Sequence, residues 1–254
     1  LVGFVHGVMN TDNTSIAGET IDYGPCAFLD AYDPHAVFSS IDRNGRYAYD
    51  RQPAIGKWNV TRLAECLLPL LSDDTETAVT QAQDALASYD EAFERAYRTG
   101  LSAKLGLLTP RGGDDELAND LLALMADSRA DFTLTFRRLS ESVHGATQDA
   151  GDTSHLFADP SAFLAWHERW RSRIAEEPGG LASVHDQMLA RNPLYIPRNH
   201  LVEAALREAH EGDFTRFHQL VGILQTPYES QPGSEYLATP PAENERVYKT
   251  FCGT

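Results

Sequence analysis

Cysteine is scarce in this chain of 254 residues, with only Cys26, Cys66 and Cys252. An odd, low count at irregular spacing makes neither a disulfide framework nor a zinc site, and it suits a reducing compartment. There is no Cys-x-x-Cys, and the nine histidines form no His-Glu-x-x-His. Positive charge is also short. Lys and Arg total 21 against 37 Asp and Glu, a formal net charge of −16. That argues against a nucleic-acid backbone as partner, which needs a basic surface. It does not argue against a nucleotide whose charge is met locally by a cation. No apolar run approaches the roughly 18 residues of a membrane span, so no membrane partner is expected. No repeat recurs at roughly 30 to 45 residues, which excludes a helical solenoid. What remains is a globular chain, long enough for one large domain or two small ones.

The chemistry-bearing residues gather in the first twenty-five positions. An apolar stretch (Leu1, Val2, Phe4, Val5) leads through His6 into a polar turn holding Asn10, Asp12 and Asn13. Ser15-Ile16-Ala17 follows as a short apolar segment, then Gly18, then Thr20-Ile21-Asp22-Tyr23-Gly24-Pro25. The second acid thus closes a short β-prone run. This order suggests a catalytic loop followed by a metal loop, carried on a short β-hairpin. Phosphoryl or nucleotidyl transfer asks for Mg²⁺ on the phosphates and a carboxylate to take the nucleophile's proton. Mg²⁺ takes one or two protein oxygens, the rest coming from phosphate and water. Asn13 and Asp22 suit that demand, and Asp12 is left as the base. The bland alternative is a pair of turns, since Asp and Asn bond readily to nearby backbone.

Spacing sharpens the first reading. Protein kinases carry His-Arg-Asp, four further residues, Asn, and later Asp-Phe-Gly. Here His6 precedes Asn13 by the same interval, and Asp22-Tyr23-Gly24 stands for Asp-Phe-Gly. The usual base position is Val8, and Asp12 is the only acid in the loop.

The stretch His6 to Asn13, with Ile21-Asp22-Tyr23-Gly24-Pro25 and Phe28 to Pro34, closely resembles the selenoprotein O family, also called YdiU or UPF0061. Further blocks agree: Gly45 to Tyr49 with Gln52-Pro53 and Trp58-Asn59, Arg191 to His200, and Tyr248 to Thr254. The resemblance implies a kinase-like protein that binds ATP inverted and transfers AMP to protein hydroxyls. By it, Asp12 matches the proton acceptor, Asn13 and Asp22 the Mg²⁺ ligands, and Asp22 also a nucleotide contact. Mg²⁺ is the implied cofactor, with Mn²⁺ as a substitute; ATP is the co-substrate, and the partners are proteins bearing Ser, Thr or Tyr hydroxyls. Cys252 falls where the family carries cysteine or selenocysteine, which implies a redox role with a thiol in the segment after Asp-Tyr-Gly-Pro. The position expected for that partner reads Phe38; Cys26 lies elsewhere in the same segment. Two unrelated free thiols remain an equal alternative.

The fold expected is mainly α, the C-terminal lobe of a protein-kinase-like fold. Residues 1–56 would hold the two loops and an irregular, activation-like segment, in which Arg43, Arg46 and Arg51 are candidates for phosphate contact or for pairing with neighbouring acids, the pairing favoured because those acids are close in sequence. A helical lobe would fill 57–226, and an extended tail with Cys252 would run over 227–254, flexible by composition. Helices are expected at 58–71, with Asn59 as N-cap and Cys66 in the core, and at 75–107, with Thr75 as cap. Others are expected at 114–126, 131–144, from Asp159-Pro160 to about 177, at 181–190, 199–210 and 213–224. No glycine-rich, lysine-bearing lobe precedes the loops, so the chain is expected to be a C-terminal portion, inactive alone. The expected location is the cytoplasm of a bacterium or, in a eukaryote, the mitochondrion. The leading function is Mg-dependent protein adenylyl transfer. Conventional γ-phosphoryl transfer is the alternative enzyme, and a catalytically dead pseudokinase scaffold is the alternative outside enzymes.

Overall fold

The computed structural model describes residues 1–19, 22–144 and 153–251. Among the described residues the protein is mainly helical, with one two-stranded sheet formed by β1 (Phe4–Val5) and β2 (Ala27–Phe28). The chain divides into two compact units. Of the described residues, the first holds 1–4, 28–33, 100–144 and 153–248; the second holds 5–19, 22–27, 34–99 and 249–251.

The larger unit is built on α3 (Asp114–Ser128), α4 (Phe132–Ser142), α5 (Pro160–Ile174), α6 (Gly180–Leu189), α7 (Asn199–His210) and α8 (Thr215–Ile223). Local signals start two of them. The Asp131 carboxylate caps α4 by accepting from Leu134 N at 2.8 Å, and Asp159 caps α5 by accepting from Ser161 N and Ala162 N. Pro160 sits in the first turn of α5, where a missing N–H costs nothing. Along α5, Phe163, Trp166, Trp170 and Ile174 are buried at 3.6-residue spacing. Each tryptophan also finds an acceptor for its indole N–H: Trp166 donates to Leu117 O and Trp170 to Leu105 O, both at 2.8 Å. Burying each such ring contributes about 1.5–3 kcal/mol or more, and the hydrogen bond removes the penalty of its polar edge. A second cluster joins Leu201 and Ala205 of α7 to Leu220 and Ile223 of α8, with Tyr195, Leu237 and Ala238.

The smaller unit carries α1 (Gln52–Leu71) and most of α2 (Thr75–Lys104). Gly56 lets the two approach: a Cβ there would meet the Tyr89 hydroxyl at 2.5 Å. Tyr89 Oη donates to Pro53 O at 3.1 Å, and Lys57 pairs with Asp90.

Several expectations need correction. α1 begins at Gln52, six residues before Trp58, because Pro53 favours a first turn as much as it punctuates a loop. Asn59 is therefore inside the helix and buried, not its N-cap. Cys66 is exposed, as are Leu63, Leu67 and Leu71 of the apolar stripe. Asp74, not Thr75, caps α2, its carboxylate accepting from Thr77 N at 2.8 Å. Arg46 and Arg51 form no ion pair among the described residues. The Arg46 guanidinium lies 4.8 Å from the Trp58 ring centroid, and Arg51 donates to the carbonyls of Asn44 and Gly45. The tail is not loose throughout: Leu237 and Ala238 are core residues. Both loops lie in the connection between β1 and β2, and Ile16, in the short apolar segment, is 89% exposed.

Candidate functional site

The site lies wholly within the smaller unit. Its entry is fixed by a close approach of backbone. Gly7 has φ +87°, and a Cβ there would stand 2.4 Å from Pro25 O. Only glycine both tolerates that dihedral and leaves room for the carbonyl. His6, just before it, ties the loop at two points: its N–H donates to Gln52 Oε1 at 3.0 Å, and its Nδ1 accepts from Val8 N at 3.4 Å.

Thr11–Asn13 then forms one turn of 3₁₀ helix, closed by Asn13 N donating to Asn10 O at 3.0 Å. This turn sets the two expected residues side by side with different surroundings. Asn13 donates from Nδ2 to Val8 O at 3.2 Å, which fixes the amide's orientation and leaves its Oδ1 without a hydrogen bond among the described residues. Asp12 is exposed, and its carboxylate makes no hydrogen bond or ion pair among the described residues. A carboxylate held on an ordered turn with both oxygens uncommitted can take a proton.

The turn is held from outside by residues far away in sequence. Tyr47 Oη donates to Asn10 Oδ1 in a short hydrogen bond. Asn59, on α1, donates from Nδ2 to Met9 O at 3.0 Å and to Thr14 Oγ1 at 2.8 Å. Thr14 Oγ1 donates in turn to Asn10 O at 3.1 Å.

Asp22 heads a second turn. Its Oδ1 accepts from Gly24 N at 3.1 Å, the backbone-mimicking bond that Asp makes in turns. Its other oxygen carries no bond among the described residues, and the residue is exposed. The β-prone run expected before it falls on Thr20 and Ile21, outside the described residues. No hydrogen bond joins Asp22 to Asp12 or Asn13 among the described residues. The turn continues through Cys26 N donating to Gly24 O at 2.8 Å, and Pro25 O accepts from Thr250 Oγ1 at 2.6 Å. Thr250 is also laced to the segment after the turn: its N–H donates to Phe38 O at 2.8 Å and its carbonyl accepts from Ser40 N at 2.9 Å. Cys252 lies outside the described residues. Cys26 is half-buried with its thiol directed at Tyr23 O, 3.8 Å away. Burial pushes that thiol's pKa up, and the Asp22 charge adds to the rise.

Among the described residues no group of three or more His, Cys, Asp or Glu side chains forms a metal cage. The donors present fit a different kind of ion. An uncommitted amide oxygen at Asn13 and an uncommitted carboxylate oxygen at Asp22 are hard ligands. They are few, as suits Mg²⁺ that keeps its water and phosphate oxygens.

Gln52, Tyr47, Asn59 and Thr250 escaped site assignment from sequence. Each lies within a block that carries the family resemblance, and that membership was the only signal available. Their partners lie tens to hundreds of residues away, beyond the reach of spacing arguments.

Comparison with known proteins gives a consistent result. The sequence pattern described as protein adenylyltransferase SelO matches residues 1–225. The chain is 55% identical over 255 residues to the protein nucleotidyltransferase YdiU of Bradyrhizobium diazoefficiens, covering 100% of this chain and 52% of that protein. The same identity and coverages hold for the YdiU of Rhodopseudomonas palustris, and for that of Methylorubrum populi over 259 residues. The chain spans about half the length of these curated relatives. Among the described residues no helix is long and apolar enough to cross a membrane.

Proposed function

This chain belongs to the family of the protein adenylyltransferase SelO, and on that premise we propose that it carries the proton-accepting and metal-binding part of a protein adenylyltransferase. The helical unit is read as the C-terminal lobe of a kinase-like fold, and the substrate is a Ser, Thr or Tyr hydroxyl of another protein. The observation that carries this reading is the Thr11–Asn13 turn. Among the described residues it holds a carboxylate without a partner beside an amide oxygen without a partner, in a loop with the His-to-Asn interval of a kinase.

In this reading Asp12 accepts the proton of the attacking hydroxyl. The hydroxyl oxygen forms a bond to the α-phosphorus of ATP, the bond to the β-phosphate oxygen breaks, and pyrophosphate leaves. Asp12 then returns its proton to solvent. Asn13 and Asp22 would hold Mg²⁺, which supplies positive charge against the phosphate oxygens. The tight turn at Gly24 keeps one Asp22 oxygen bonded to backbone and so orients the other. Removing an acceptor of this kind typically lowers rate by 10²–10⁴-fold.

The deciding experiment uses the intact protein with Mg²⁺ and, separately, α-³²P-ATP and γ-³²P-ATP, with Asp22→Ala as control. Label on protein from the α position alone, lost in the variant, supports AMP transfer through this site. Label from the γ position alone makes the protein a kinase. Binding of Mg-ATP with no label from either overturns the catalytic reading in favour of a scaffold.

A further inference from the structure

Asn59 is 4% exposed and sits in the second turn of α1. A buried asparagine amid a helix is a poor choice for stability alone, because its side chain brings two donors and an acceptor into the interior. Here both donors are used and the acceptor is not. Nδ2 donates to Met9 O and to Thr14 Oγ1, while Oδ1 has no partner among the described residues. The orientation is fixed, because a flipped amide would point its oxygen at the Met9 carbonyl.

The two acceptors have a particular relation to the site. Met9 precedes the Thr11–Asn13 turn and Thr14 follows it. One amide therefore ties both flanks of the turn that carries Asp12 and Asn13. Gln52 lies seven residues before Asn59, which puts both on one face of α1 two helical turns apart. It holds His6 N, further back along the same loop. Tyr47 holds Asn10 from just before the helix. The face of α1 thus acts as a template along which the loop is pinned at successive points, with Asn59 the one among the described residues that spans the turn.

We propose that Asn59 is a positioning residue for the proton-accepting turn: it acts through Met9 and Thr14 to hold Asp12 and Asn13 in register. This rests on the functional reading above for its effect on rate, but not for its effect on the loop.

The test uses the intact protein as wild type, Asn59→Leu, Thr14→Val and Thr14→Ser. Thr14 is exposed, so its variants keep the fold even where the helix variant does not. Backbone hydrogen exchange over residues 9–14 is read first. It should quicken tenfold or more in Asn59→Leu and severalfold in Thr14→Val, with exchange in α2 unchanged, and should return to wild type in Thr14→Ser, which keeps the hydroxyl. AMP transfer is read second. kcat should fall tenfold or more in Asn59→Leu, with KM for ATP within threefold. Exchange that is unchanged over 9–14, or that quickens equally through both helices, overturns the proposal. A wild-type protein that transfers no AMP defeats the functional reading instead, and the exchange result still decides the clamp.

Discussion

Thr250 donates its hydroxyl to the carbonyl oxygen of Pro25 across 2.6 Å, a contact spanning nearly the whole sequence. Pro25 closes the turn headed by Asp22, so a residue at the far end of the chain holds the proposed metal loop. Replacing Thr250 by Val removes one hydrogen bond and keeps the shape. The net loss is about 0.5–1.5 kcal/mol, or roughly 2- to 10-fold in an equilibrium that depends on that turn. The Mg²⁺ concentration giving half-maximal AMP transfer in the intact protein should rise by that factor. Exchange at the Gly24 and Cys26 amides should quicken in parallel. An unaltered Mg²⁺ response with unaltered exchange would separate the tail from the site.

Arg198 is 1% exposed and grips two carboxylates, Asp131 at 2.9 Å and Asp30. It also donates to Ala238 O at 3.1 Å. Burial works against its charge, but Asp131 and Asp30 together prevail and raise its pKa. Arg198→Met leaves Asp131 buried without its cation, which typically costs 3–5 kcal/mol. Arg198→Lys should recover only part of this, because an ammonium cannot span the planar fork that Asp131 receives. Urea denaturation of the three proteins orders them, and a Lys variant as stable as wild type would show that charge alone suffices.

Sequence was legible where the determining contacts are local. Asp131 and Asp159 were readable as helix starts because a cap bonds two or three residues ahead. The Asp12–Asn13 turn was readable for the same reason. Asn59 was misread because its side chain suits a cap, while its true partners are Met9 and Thr14. The tail is flexible by composition because Pro, Gly and Glu dominate it, yet Leu237 and Ala238 join Tyr195, Leu201 and Leu220 in one buried cluster. Cys66 was misread because an apolar stripe implies burial only when something covers it, and periodicity cannot say what does.

The two described thiols differ in surroundings. Cys66 is exposed on α1, whereas Cys26 is half-buried with its pKa raised by burial and by Asp22. The thiolate is the reactive form. In a Cys252→Ser background, iodoacetamide at pH 7.5 should therefore modify Cys66 first and Cys26 severalfold more slowly, as followed by peptide mass spectrometry. Asp22→Asn removes the nearby negative charge and should speed Cys26 while leaving Cys66 unaltered. Equal rates at the two thiols in the parent protein would contradict the environment assigned to Cys26.

Lys104 is a buried cation without a carboxylate partner in any ion pair among the described residues. Its Nζ donates to Asn192 Oδ1 at 2.7 Å and lies 4.3 Å from the Phe136 ring centroid. Burial lowers its pKa from 10.5 to about 7. The unfolded chain therefore binds a proton that the folded one releases between those values. Below about pH 7 Lys104 is charged in both states, and the folded protein bears the full desolvation cost. As pH rises toward 10.5 the cost is progressively relieved, so this residue makes stability increase with pH over that window. The relief amounts to several kcal/mol, since each pKa unit corresponds to about 1.4 kcal/mol. Lys104→Met removes the titration. The stability of Lys104→Met minus that of wild type, from urea melts at pH 7, 8, 9 and 10, should be most favourable at pH 7 and decline steadily with pH. Groups common to both proteins cancel in that difference. A flat difference would mean that Lys104 keeps its ordinary pKa in the folded state, with water reaching the amine beside Asn192.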